Sequence, residues 1–231
     1  MTQGPLQAVY DRLFQHYGPQ HWWPAETPFE VIVGAVLTQN TAWRNVELAL
    51  ERLKERRLLA PAALREAPVA ELEDAIRPAG YFRAKARTLH GVLALLFDQY
   101  GGSVERMLQA PGPILRSQLL QVRGIGPETA DSILLYAAGC PVFVIDAYTR
   151  RIFSRAGLLP ADRLEYHQLQ DIFHRQLPQD PALYGEYHAL LVTLGKDCCR
   201  KQRPRCGPCP LRDLCAWGRE ADMAGGLSGG N

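Results

Sequence analysis

The sequence lacks any uninterrupted apolar run of the roughly 18–20 residues that a membrane-spanning helix needs, and so excludes a membrane-embedded reading. Met1-Thr-Gln-Gly-Pro5 has no charged start with an apolar stretch behind it, so a cytoplasmic location is expected. Charge of one sign is missing too. Against 26 Lys and Arg stand 24 Asp and Glu, a net charge of +2, so any polyanion must be held by local patches and not by a global basic field. Strand patterning is scarce: no segment alternates apolar and polar residues convincingly, and Val142 to Ile145 is too short to change an all-α class. Six cysteines without an export signal argue against a disulfide framework and for a metal or redox site. What remains, 231 residues with 47% hydrophobic and 22% charged, is enough for one domain or two small ones.

The most informative stretch is Val122-Arg-Gly-Ile-Gly-Pro-Glu-Thr-Ala-Asp-Ser-Ile-Leu-Leu-Tyr136. Gly124 and Gly126 flank one apolar residue, Pro127 suits the first turn of a helix, and Ile133, Leu134 and Ala137 continue at helical spacing. This predicts helix, hairpin, helix. Glycines at a helix mouth let backbone N–H groups approach an oxyanion, which the helix dipole also favours. The same pattern serves an ordinary αα-turn. Ten residues on, Cys140-Pro-Val-Phe-Val-Ile-Asp146 places an aspartate after an apolar run and before another helical segment, where Asp is also a common N-cap.

Along the rest of the chain, Leu6, Val9, Leu13 and Tyr17 give a first amphipathic helix. Gln20-His-Trp-Trp-Pro24 follows; of the adjacent Trp22 and Trp23, at least one ring points away from any single core stripe. Pro28 to Glu47 reads as one buried helix ending in the polar cluster Thr38, Gln39, Asn40 and Thr41, whose amides need partners or serve as caps. Residues 48 to 75 give two helices broken at Pro61 and Pro68. Ile76 to Arg87 combines a turn, aromatics and the cations Arg83 and Lys85, which fits phosphate contact or a solvated basic face. Further helices are expected at 88 to 99, 103 to 109, 148 to 156, 164 to 176 and 184 to 194, with a disordered tail over 218–231.

Cys199, Cys206, Cys209 and Cys215 form the run C-x6-C-x2-C-x5-C. Four thiolates so placed satisfy either one tetrahedral zinc ion or the corners of an iron–sulfur cube. Between the first two lie Arg200, Lys201, Arg203 and Arg205, cations that a rigid loop would present to a phosphate backbone. Cys140 and Cys198 are left over as packing residues.

Taken together, the hairpin, Asp146 and the four cysteines resemble the helix-hairpin-helix (HhH-GPD) DNA glycosylases of the endonuclease III superfamily, over roughly residues 5 to 217. The resemblance implies two helical domains with a DNA-binding cleft between them: residues 27–140 carrying the hairpin at about 115–137, and residues 1–26 plus 141–217 carrying a [4Fe–4S] cluster on Cys199, Cys206, Cys209 and Cys215. It implies base-excision repair on double-stranded DNA containing a damaged base by a nucleoid-associated monomer. Asp146 would be the catalytic carboxylate, and Gln39 would enter the gap left by an extruded nucleotide. Arg83, Lys85, Gly124, Gly126 and the Arg200–Arg205 loop would contact DNA.

One departure bears on the chemistry. Bifunctional members carry a lysine at the start of the second hairpin helix, and here that residue is Glu128. A carboxylate forms no imine with the sugar, so a monofunctional glycosylase is expected. The tryptophans and the Gly34-Ala-Val-Leu-Thr-Gln-Asn-Thr41 segment look like the 3-methyladenine glycosylases built on this fold, with Trp22, Trp23, Trp43 and Glu128 as the pocket for a cationic alkylated purine. An endonuclease III-like glycosylase and lyase for oxidised pyrimidines, and a catalytically silent iron–sulfur DNA-binding protein, are the alternatives.

Overall fold

A computed structural model describes residues 4 to 219. Among the described residues helix follows helix without a strand, as the missing alternation predicts. The described chain forms two compact units, Trp23–Cys140 and, joined to the N-terminal segment ending at Trp22, the chain from Pro141 to Arg219. Of the expected tail, Gly218 and Arg219 close a helical turn that starts at Ala216, and residues 220 to 231 lie outside the described residues.

The first helix, α1 (Pro5–Tyr17), buries Leu6, Val9 and Leu13, as its spacing predicts. In the unit Trp23–Cys140 the core is built on α2 (Pro28–Leu37), whose residues from Phe29 to Leu37 are all buried. Each fully buried Val, Leu, Ile or Phe contributes about 1.5–3 kcal/mol of transfer free energy. Thr27 starts the helix, its hydroxyl accepting the Glu30 amide at 3.1 Å. The helix does not run on to Glu47: it stops at Leu37, Asn40 turns back with φ 52°, and α3 (Trp43–Glu55) starts afresh. The break has a physical cause, since α2 is buried on every side whereas α3 buries one stripe, Val46, Ala49, Leu50 and Leu53.

Pro61 and Pro68 open helices where breaks were expected, because proline lacks only an N–H that a first turn leaves unbonded. They start α4 (Pro61–Glu66) and α5 (Val69–Ala75). After a 3-10 turn at Arg77–Ala79 comes α6 (Phe82–Tyr100), six residues earlier than the apolar spacing indicates. α7 (Val104–Leu108), α8 (Gly112–Gln121) and α9 (Pro127–Tyr136) complete the unit, with α9 packed on α2 and α8. In the other unit α1 and α10 (Ala147–Ala156) pack on α12 (Pro181–Asp197), α11 (Tyr166–Gln176) packs on α1, and α12 leads directly into the cysteine loop.

The early start of α6 puts Lys85 inside the protein. It is 3% exposed, and its ammonium donates to the Leu37 carbonyl at 2.8 Å and the Ala79 carbonyl at 2.7 Å. Two helix ends whose carbonyls lack a following turn are thus tied together by one cation. Burial pushes this ammonium down to about 8.

Lys85→Met is expected to lower unfolding free energy by about 3 kcal/mol, because both carbonyls stay buried without a donor. The pH dependence has a definite sign. The folded form sheds the Lys85 proton near pH 8 while the unfolded chain keeps it to 10.5, so the wild type gains stability across that window and the substituted protein gains nothing there. Urea midpoints at about pH 7 and about pH 10 should show the gap between the two proteins widening with pH.

Candidate functional site

The hairpin forms as its sequence requires. Ile125 turns inward at 7% exposure and its amide donates to the Val122 carbonyl at 3.0 Å, closing the turn between α8 and α9. Gly124 sits at φ 95°, and a Cβ there would stand 2.2 Å from Thr88 Oγ1 on α6. Only glycine fits. Gly126 differs, with φ −100° and open space where a Cβ would go. Behind the turn the hairpin helices are clamped by Arg116 on α8, whose Nε and a terminal nitrogen reach the buried Asp131 of α9 at 2.6 and 3.2 Å. Asp131 is fully buried while Arg116 keeps an edge in solvent, so losing the guanidinium would deprive a buried carboxylate of this counterion.

Gln39, in the loop between α2 and α3, is brought to this turn. Its amide nitrogen donates to the Gly124 carbonyl at 2.9 Å and to Thr129 Oγ1 at 2.8 Å. The polar cluster expected at the end of a buried helix therefore exists, and its partner in this structure is the hairpin. Glu128, in the first turn of α9, is exposed. Arg83 is exposed above the Phe82 ring, 3.8 Å from Glu73, as a cation available at the surface. Lys85 is not, and this corrects its expected role as a phosphate contact: its charge is committed to two carbonyls of the fold.

The aromatic expectations divide. Trp23 packs edge-on to Trp43, ring centroids 5.3 Å apart, and lies at the same distance from Tyr136 at the end of α9. Trp43 is oriented in turn by Glu47, which accepts its indole N–H at 2.8 Å. Trp22 belongs to the other unit. Tyr136 escaped the sequence reading because it looks like the last apolar position of a helix. Tyr81, one of the aromatics read between Ile76 and Arg87, is 74% exposed with φ 45° at the start of α6, a backbone conformation that non-glycine residues seldom adopt.

In the other unit Asp146 is the N-cap of α10. Its Oδ1 accepts the Thr149 amide at 2.7 Å and the Thr149 hydroxyl at 2.8 Å, while Oδ2 lies 3.5 Å from His188 Nε2 on α12. The residue is 6% exposed. Burial pushes its acidity toward the neutral form, but the imidazole and the two Thr149 donors outweigh burial and hold the carboxyl below its ordinary value. It is an anion at neutral pH. His188 went unnoticed in the sequence because nothing local connects it to a residue forty-two positions earlier.

The cysteine loop folds back on itself through Arg205 N to the Cys198 carbonyl at 2.9 Å and Cys209 N to the Cys206 carbonyl at 3.2 Å. None of its thiols is in a disulfide. Burial raises the Cys209 thiol to about 12, and the neighbouring Cys198, Cys199 and Cys215 add to the effect, so these sulfurs sense one another. No three of His, Cys, Asp and Glu among the described residues form a set able to hold one metal ion. Arg151 and Arg155 of α10 brace the loop, donating to the carbonyls of Cys199 at 2.8 Å, Arg200 at 2.6 Å and Lys201 at 2.9 Å. Arg200, Lys201, Arg203 and Arg205 are exposed as expected.

Residues 33–178 match the family model of the HhH-GPD superfamily base excision DNA repair proteins. A protein of Methanocaldococcus jannaschii assigned to the DNA repair glycosylases is 44% identical over 211 residues, which cover 91% of this chain and 95% of that protein. Among solved structures, an endonuclease III in a non-covalent DNA complex matches with a TM-score of 0.82 and 25% identity, over 96% of this chain and 99% of that one. The Helicobacter pylori 3-methyladenine DNA glycosylase bound to 1,N6-ethenoadenine matches with a TM-score of 0.72 and 28% identity, over 83% and 95%.

The two hairpin glycines should respond differently to substitution. Gly124→Ala combines a left-handed backbone with a contact on Thr88, and is expected to lower stability by about 2–3 kcal/mol. Gly126→Ala loses at most about 1 kcal/mol, the difference between glycine and alanine at an N-cap. Thermal unfolding followed by circular dichroism separates the two, and equal losses would contradict the assignment of strain to Gly124 alone.

Proposed function

The chain belongs to the HhH-GPD superfamily of base excision DNA repair proteins and is a DNA glycosylase of the endonuclease III type, and we propose that it is a monofunctional one whose substrates are alkylated purines. Two observations together carry the proposal: Asp146 is buried and held as an anion, and a carboxylate, Glu128, stands where the resemblance places the lysine of strand-cleaving relatives. The likeness to the Helicobacter pylori 3-methyladenine enzyme supports the substrate class.

Hydrolysis breaks the bond between the sugar C1′ and the purine nitrogen, and the bonding pair leaves with the base. When that base is already cationic it departs neutral, so the bond is weak before the enzyme acts. The sugar is left with oxocarbenium character. Asp146 stabilises this positive charge and orients the water that adds to C1′, whose proton passes to the carboxylate. A damaged base is also cheaper to extrude from the duplex. Trp23, Trp43 and Tyr136 supply aromatic surface for stacking and cation–π attraction, about 0.5–2 kcal/mol per well-placed ring. Arg83, the hairpin turn and the Arg200–Arg205 loop are the proposed backbone contacts, with Gln39 and Tyr81 beside the extruded nucleotide.

Cys199, Cys206, Cys209 and Cys215 would hold a [4Fe–4S] cluster. The donor set fits, being four thiols free of disulfides on a loop already closed by backbone hydrogen bonds. Once bound, the cluster would fix the basic loop rigidly; the reaction itself needs no electron transfer. Purified protein should be brown with a broad band near about 400 nm, and a colourless, zinc-containing protein would refute the assignment.

The main test uses duplexes that each carry one modified base. Incubation followed by hot alkali should cleave at 3-methyladenine, whereas without alkali the strand should stay intact and borohydride should trap no covalent adduct. Nicking without alkali would defeat the monofunctional reading, and release only of oxidised pyrimidines would move the substrate class to that of endonuclease III. Asp146→Asn should bind the same duplex and release base at least about 100-fold more slowly.

A further inference from the structure

Asp146 divides its two oxygens between different neighbours. Oδ1 is fully engaged by α10, accepting both the amide and the hydroxyl of Thr149. Oδ2 turns to α12, where His188 Nε2 lies 3.5 Å away. Both side chains are buried, at 6% and 7% exposure. The approach is built into the packing of these two helices. Gly195, two turns along α12 from His188, has no room for a Cβ because Tyr148 Cδ1 would stand 2.2 Å from it, so α10 seats directly on the α12 backbone.

Resting on the reading of Asp146 as the catalytic carboxylate, we propose that His188 is its positioning residue: the imidazole holds Oδ2, the oxygen the helix cap leaves for chemistry, in place and ionised. Protonated, the ring supplies an opposite charge; neutral, its Nε2–H is still a donor. The titratable side chain from α12 that acts on Asp146 is His188, while on α10 burial and the Asp146 charge together raise the Tyr148 phenol. The other nearby groups are engaged elsewhere. On α10, Arg150 donates to the Ala161 and Leu164 carbonyls, and Arg151 to Cys199 and Gly195. On α11, the His174 ring accepts the Phe143 amide, and Tyr166 OH accepts that of Ile145. His188 is therefore placed to decide down to what pH Asp146 stays charged, without itself reaching the sugar.

The consequence has a sign. If His188 favours the anion, its loss raises the pH at which Asp146 takes up a proton, so activity disappears from the acid side while the alkaline side is spared. The experiment is single-turnover base release from a 3-methyladenine duplex between about pH 4 and about pH 9 for the wild type, His188→Gln, His188→Ala and Asp146→Asn. His188→Ala should lose about tenfold or more at pH 5 and less than about threefold at pH 8, with His188→Gln, which keeps a neutral donor, in between. A purely structural role would lower the rate alike at every pH. Profiles for both His188 variants that superimpose on the wild type, or fall uniformly, overturn the proposal.

A substrate-free arm separates this outcome from failure of the functional reading. Urea midpoints between about pH 3 and about pH 7 report Asp146 directly, because stability from a depressed carboxyl is lost as pH falls through its folded value. His188→Ala should move that loss to higher pH, and in an Asp146→Asn background should leave the profile unmoved. If Asp146→Asn still releases base, the catalytic reading fails and this second arm alone decides whether His188 governs the acid.

Discussion

A charged carboxylate held almost wholly out of water is the constraint on which the unit beginning at Pro141 depends. Burying an anion without compensation costs several kcal/mol even after the protein relaxes, so Asp146 stays ionised only because each oxygen has a counterpart. The cap of α10 supplies two donors to Oδ1, and α12 brings an imidazole to Oδ2. The second counterpart requires close packing of two helices, which Gly195 permits by letting the Tyr148 ring lie on bare backbone. α12 then runs on from His188 into the first cysteine of the loop, whose backbone is gripped by arginines of α10. The same helix pair thus fixes the acid at one end and the basic loop at the other.

In the unit Trp23–Cys140 an equivalent role falls to the first turns of α6. Lys85 pins the end of α2 and the turn before α6, and Thr88 Oγ1 lies 3.2 Å from the Arg123 carbonyl at the base of the hairpin. Gln39, released by the end of α2, then bonds to the hairpin at Gly124 and Thr129. Three polar side chains thereby satisfy carbonyls that helix ends and turns leave without partners. Their effect is to hold the Gln39 loop, the glycine turn and the start of α6 in one arrangement before any ligand arrives.

What the sequence disclosed follows from the range of the forces involved. The hairpin, the burial of α2 and the capping position of Asp146 are local, set by glycine, proline and apolar spacing within a dozen residues, and they were legible. The break at Thr38–Ala42 was not, because Trp43 continues the apolar pattern in period although it faces a new direction. Lys85 misled for a related reason. It sits two residues from Arg83 among cations, yet only the fold decides that one side chain reaches solvent and the other is buried against carbonyls. His188 and Tyr136 depend on contacts across long sequence separations, for which composition and periodicity carry no signal. The two prolines, expected as breakers, open helices, since the same missing N–H that ends one helix costs nothing at the start of the next.

Glu128 bears on both the chemistry and the contact with DNA. A lysine in the first turn of a helix is disfavoured as a cation by the helix dipole, which tends to free its amine for attack on a sugar; a glutamate there is favoured as an anion. On the proposed reading the exchange removes the nucleophile and also reverses the charge beside the hairpin turn. An exposed carboxylate at that point would repel a backbone phosphate placed close to it, so on the proposed reading any such contact falls to the backbone of Gly124 and Gly126. A cationic base meets the opposite condition: the charge that penalises a phosphate attracts an alkylated purine. On the proposed reading the glycosidic bond of such a base is already weak, one ionised aspartate supplies the electrostatic help, and no covalent route through an amine is required.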